Sequence, residues 1–154
     1  MIRIQREPFD VGLEIAALTE GRTDIGAVAS FVGLVRDMAD ARQVRAMTLE
    51  HYPGMTERQL GRIETEARSR WPLLDALIVH RYGRLEAGEP IVLVAAASAH
   101  REAALQACAF LMDWLKTRAP FWKLEETTEG EQWVAARDSD ALAVARWAEP
   151  PTSP

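Results

Sequence analysis

The first residues alternate, with Ile2 and Ile4 apolar against Arg3 and Gln5, which predicts a short strand. Asp10 then precedes Val11, Ile15 and Leu18, whose spacing of three to four predicts a helix capped by Asp10. Ile25 to Val35 is apolar on both faces and reads as a central strand, with Arg36 emerging at its end. The polar stretch Asp37 to Gln43 reads as a loop, and its MADARQ segment holds no glycine to take a positive φ. Val44 to Tyr52 alternates again, setting Val44, Ala46 and Thr48 opposite Met47 and Leu49.

Pro53-Gly54 breaks the chain before an amphipathic helix carrying Leu60, Ile63, Ala67 and Trp71, which Pro72 ends. Leu77 to Tyr82 and Ile91 to Ala97 are predicted buried strands, and the two glycines between them suit a hairpin or a larger β-excursion. From Ala99 to Arg118 the positions Leu105, Cys108, Ala109, Met112 and Leu115 follow helical spacing, and Pro120 stops the helix with Lys116 in its last turn. Phe121 to Thr127 and Gln132 to Val134 form a predicted hairpin about Gly130. On its first strand Phe121, Lys123 and Glu125 share one face, with Trp122 on the other as the expected core anchor.

At 154 residues the chain suits one sizeable core. The expected division is a domain over 1–138, then a C-terminal segment and flexible tail over 139–154. The opening residues form no signal-like apolar run, so a cytoplasmic protein is expected. One cysteine excludes an internal disulfide, and three histidines without ligand spacing argue against a metal site. The net charge of -5 argues against a nucleic-acid surface.

The 18 basic residues comprise sixteen arginines and two lysines, Lys116 and Lys123. Arginine stays charged, whereas a desolvated lysine can deliver a proton or a nucleophilic amine, so the two survivors are candidate catalytic residues. Ser98-Ala99-His100-Arg101 stands where a strand enters the long helix, an arrangement that suits a phosphate or carboxylate. Arg36 and Arg137 are further anion candidates, and Phe31 and Met112 are either core residues or walls for a flat heteroaromatic ring. Cys108, on the apolar face of the helix, reads as a small buried hydrophobe.

Taken in order, GAVASFVGLVRD at 26–37, LEHYPGM at 49–55, HRYGRLEAGEPIVLVAAASAHR at 80–101, FLMDWLKTRAPFWKLEE at 110–126 and GEQWVAAR at 130–137 resemble the molybdopterin synthase catalytic-subunit family. The resemblance implies an α+β fold, an α/β-hammerhead-type single domain with a mixed or antiparallel sheet and two to three helices. It implies a homodimer at the core of a heterotetramer, whose partner is a small ubiquitin-like subunit with a C-terminal glycine thiocarboxylate. The implied reaction places two sulfurs on cyclic pyranopterin monophosphate, without a cofactor. Lys116 and Lys123 match the family's catalytic lysines, His100 and Arg101 its phosphate-binding pair, Arg36 its FVGxVR arginine, and Arg137 one supplied across the dimer. Two rival readings are a non-catalytic receptor for a ubiquitin-like tail and a phosphate-ester enzyme working from the helix N-terminus, for which no Walker or Ser-His-Asp motif is present.

Overall fold

A computed structural model describes residues 1–39, 41–134 and 138–148. Its elements run β1 (Ile2–Gln5), α1 (Val11–Thr19), β2 (Ala27–Leu34), β3 (Met38–Ala39), β4 (Arg42–His51), α2 (Met55–Arg70), β5 (Leu73–Arg81), β6 (Gly83–Glu86), β7 (Pro90–Ser98), α3 (Arg101–Arg118), β8 (Phe121–Thr127), β9 (Gly130–Val134) and α4 (Asp138–Ala145). The fold is α+β. A mixed sheet orders β1-β5-β7-β2, with β1 parallel to β5, and a second, antiparallel sheet runs β3-β4-β8-β9 with β6 also on β4.

The mixed sheet is covered on both faces, which explains why β5 and β7 read as unbroken apolar runs. Ile78, Val94 and Ala96 point into a cluster with Leu60 and Ile63 of α2 and Phe110 and Leu111 of α3. Leu77, Val79, Leu93 and Ala95 point the other way, under Val11, Ile15 and Leu18 of α1. Each fully buried Val, Leu, Ile or Phe side chain among them contributes roughly 1.5–3 kcal/mol over its exposed state.

Local signals account for the helix ends. The Asp10 carboxylate accepts the Leu13 N–H at 2.9 Å, as the cap reading requires. Gly54 takes φ +81° before α2, and Glu57 reaches back to accept its N–H at 2.6 Å. α2 gives way to Trp71 and Pro72 and α3 to Ala119 and Pro120, where the sequence predicts.

Several elements differ from the sequence reading. β2 is not central: among the described residues it pairs only with β7 and forms the edge of the mixed sheet, leaving Phe31 and Leu34 exposed. Its apolarity on both faces comes from packing, with Val28 and Val32 against the α1 cluster and Ala29 against the α3 cluster. The stretch 37–43 is no plain loop, since β3 folds back on Arg42 and Gln43 and Ala41 adopts φ +65° without a glycine. β5 begins at Leu73, four residues before the predicted Leu77. The Gly83–Pro90 connection takes the larger of the two forms considered, with β6 crossing to pair with β4.

A break in register between Val44 and Ala46 leaves Arg45 as an extra residue opposite β8. The bulge rotates Val44 onto the face of Met47 and Leu49, away from Ala46 and Thr48, which corrects the simple alternation. A fourth helix, α4, packs against α3. Asp113 of α3 accepts hydrogen bonds from Arg146 Nε at 3.0 Å and Trp147 Nε1 at 2.7 Å, and the Trp147 ring meets Trp71 and Phe110 edge-on.

Candidate active site

A cavity of about 600 Å³ opens where the two sheets meet under the C-terminal end of α3. The edge strand β2 supplies Phe31 and Gly33 and the following turn supplies Arg36. β4 supplies Met47 and Leu49, and α3 supplies Met112, Leu115 and Lys116. β8 adds Phe121, Lys123 and Glu125, while Ser139 and Asp140 of α4 stand at the same cavity. Two cationic amines and a guanidinium therefore share a space with apolar walls, a combination suited to a flat anionic ligand.

Pro120 is what brings the lysines together. It ends α3 just after Lys116, and the chain turns into β8, whose pairing sets Lys123 opposite Leu49 and Phe121 opposite His51. Opposite residues in an antiparallel pair share a face, so Lys123 lies on the inner face with Leu49, which is buried. The expectation that Trp122 anchors the core and turns Lys123 outward is therefore reversed. Trp122 is 37% exposed and meets Tyr52 edge-on at 4.1 Å. Phe121 stacks on His80 of the mixed sheet, and pairing with β4, not the size of the aromatic, sets the inward phase.

Of the eight residues singled out in the sequence, Arg36, Lys116, Lys123, Phe31 and Met112 line the cavity. Met112 is buried and Phe31 exposed, so the first belongs to core and cavity wall alike. His100 and Arg101 do not join them. They stand at the N-terminal end of α3, about 22 Å from Lys116 along the axis at 1.5 Å per residue. Ser98 there accepts the His100 N–H at 3.3 Å and donates to the Pro72 carbonyl at 2.9 Å. Arg137 lies outside the described residues.

His80 of β5 also lines the cavity, and the sequence reading passed over it. It is 5% exposed, its ring stacks on Phe121 at 3.8 Å between centroids, and its Nδ1 lies 2.8 Å from the Arg81 carbonyl. Burial pushes its pKa down to about 4; the Arg81 carbonyl opposes this, and His51, Lys116 and Lys123 add to it. The available signal was a histidine placed within an otherwise apolar buried strand. Cys108 is buried with its Sγ 3.8 Å from the Val94 carbonyl, and burial raises its pKa to about 11, so it stays a thiol.

A family model described as MoaE protein matches residues 4–118. The molybdopterin synthase catalytic subunit of Pseudomonas aeruginosa is 60% identical over 148 residues, which cover 96% of this chain and 99% of that protein. The solved molybdopterin biosynthesis MoaE protein from Burkholderia ambifaria MC40-6 is similar at a TM-score of 0.83 and 53% identity, over 97% of this chain and 98% of that one. The same fold recurs in a protein–protein complex of subunits 1 and 2 of molybdopterin-converting factor from Helicobacter pylori 26695, at a TM-score of 0.71 and 20% identity, over 88% and 91% of the two chains.

Proposed function

The chain belongs to the MoaE protein family, and from that premise we propose that it is the catalytic subunit of a molybdopterin synthase. The reaction is the transfer of two sulfurs, one from each of two C-terminal thiocarboxylates of a small ubiquitin-like partner, to cyclic pyranopterin monophosphate, which becomes a dithiolene while water leaves each donor as a carboxylate. The observation that carries the reading is the convergence of Lys116 and Lys123, on different elements, upon one cavity with Arg36.

The parts divide by chemistry. Phe31 and Met112 offer apolar surface to a pterin ring, and Arg36 offers a guanidinium to the phosphate. The lysines stabilise the oxyanions that form as the thiocarboxylate sulfur attacks, and they carry protons to and from the departing oxygens. No protein thiol is required, because the sulfur arrives on the partner, in keeping with a Cys108 held as a buried thiol.

The His100–Arg101 pair is too distant to serve the cavity of its own chain. In this reading it supplies phosphate contacts to the site of a second copy, so that the working unit is a homodimer carrying two small subunits. Arg137 is assigned the same crossed role from the sequence resemblance.

Reconstitution tests the whole. The chain, a small subunit bearing a C-terminal thiocarboxylate, and cyclic pyranopterin monophosphate should together yield dithiolene product by mass spectrometry. Binding of the small subunit with no product would mark the chain as a receptor for the tail. Mixing Lys123→Arg and His100→Ala–Arg101→Ala chains should restore part of the activity that each lacks alone, if the pair acts across copies.

A further inference from the structure

The reaction above gives His80 no part, yet this residue lines the same cavity as both lysines. Its backbone is fixed on either side, opposite Ile4 of β1 and Val92 of β7. Its ring lies on Phe121 with the planes 16° apart, and Phe121 is two residues ahead of Lys123 on the same strand face. The Arg81 carbonyl can only accept, so the Nδ1 that lies 2.8 Å from it carries the ring's proton. In a neutral imidazole that leaves Nε2 bare, as the nitrogen available to the cavity.

The charged and titratable groups around the ring come from three elements: Lys116 of α3, Lys123 of β8 and His51 of β4. The neighbouring Arg81 is engaged elsewhere, donating to the Arg6 and Pro90 carbonyls and to Glu89. A carboxylate in the place of His80 would pair with a lysine and cancel its charge, and an apolar side chain would offer the ammonium groups nothing. A neutral acceptor restrains a cation without neutralising it.

We propose that His80 is a positioning residue for the lysine pair: stacked on Phe121 it fixes the start of β8, and its Nε2 offers a hydrogen-bond acceptor to the ammonium groups that share the cavity. The proposal rests on reading Lys116 and Lys123 as the reactive cations, but its test does not require turnover.

Because the chain holds only two lysines, ¹³C-lysine labelling gives two side-chain signals, and Lys116→Arg assigns them. His80→Phe keeps a ring against Phe121 and removes the acceptor. We expect the titration midpoint of at least one lysine to fall by about half a pH unit, roughly threefold in its protonation constant, with His80→Gln closer to wild type. Unchanged midpoints for both lysines in a folded His80→Phe protein would overturn the proposal. The wild-type chain gives a second reading through long-range ¹H–¹⁵N correlation of the imidazole: a protonated Nδ1 with a bare Nε2 is expected, and a protonated Nε2 would overturn it. A wild-type chain that makes no dithiolene product, while His80→Phe shifts a lysine midpoint, refutes the enzymatic reading and leaves His80's role standing. A chain that makes product while its lysines ignore His80 does the reverse.

Discussion

The indole N–H of Trp147 donates to the carboxylate of Asp113 at 2.7 Å, tying the segment after α4 to the middle of α3. The same carboxylate takes Arg146, and α4 brings Ser139 and Asp140 to the cavity that holds the lysines. Asp113→Ala leaves a partly buried indole N–H without its acceptor, at a cost of about 1–3 kcal/mol. We expect amides of residues 138–148 to lose hydrogen-exchange protection while those of β5 and β7 keep theirs. Unchanged protection in α4 would show that its ring contacts suffice to hold it.

Folding stability should depend on pH through His80. Its folded pKa, about 4, lies below the unfolded value of 6.5, so the unfolded state binds more protons between them. The contribution is fully present above pH 6.5 and is lost as the pH falls through about 4. It amounts to roughly 3 kcal/mol across the window. Carboxylates titrate nearby, so the measurement is a difference: urea unfolding of wild type and His80→Phe from pH 7 to pH 4.5, with the wild type losing more.

Lys123→Arg keeps the charge but adds a rigid fork and gives up the transferable proton. We expect an intact fold by circular dichroism and a fall in turnover of roughly 100-fold or more, on the scale of a lost general acid or base. Turnover near wild type would remove Lys123 from the chemistry.

Cys108→Ser should retain substantial activity. The wild-type thiol, buried and held to a pKa of about 11, should resist a thiol reagent until the protein unfolds. Rapid labelling of the native chain would contradict the packing of α3 against β7.

Gly26 lies where β2 passes the entry to α3, and its N–H donates to the Ser98 carbonyl at 3.0 Å. A Cβ there would stand 2.2 Å from the carbonyl oxygen of Ala99, a backbone atom with no side-chain freedom to yield. Gly26→Ala should destabilise the protein by about 1–3 kcal/mol or more, read as a lowered melting temperature. Gly61→Ala, with open space at its Cβ and a helical position, should be neutral or stabilising.

Much of this was legible in the sequence because local signals act locally. Asp10, Gly54, Pro72 and Pro120 mark helix ends through bonding and sterics within a few residues. The cavity residues Lys116 and Lys123 stand out by composition and Arg36 by its place at a strand end, whereas strand and helix spacing leaves Phe31 and Met112 between core and cavity wall. What failed depended on distant partners. β2 reads as central because both faces are covered, yet whether a strand has one neighbour or two is settled by β7 and nothing within β2. Trp122 reads as the core anchor from alternation alone, but inward phase is set by pairing with β4. His100 and Arg101 stand at the N-terminal end of α3, and no local feature tells that they lie away from the cavity at its other end.

The extra residue at Arg45 carries a consequence for how this chain can vary in length. Side chains on a strand keep time in twos, and the bulge is a half-beat inserted between Val44 and the residues that face the lysines. Deleting Arg45 would remove the bulge and leave Val44 opposite Thr127, with Val44, Met47 and Leu49 still on one face. A loss of one residue should therefore be tolerated at the Arg45 bulge and rejected between Met47 and His51, where a single step would turn the cavity wall inside out.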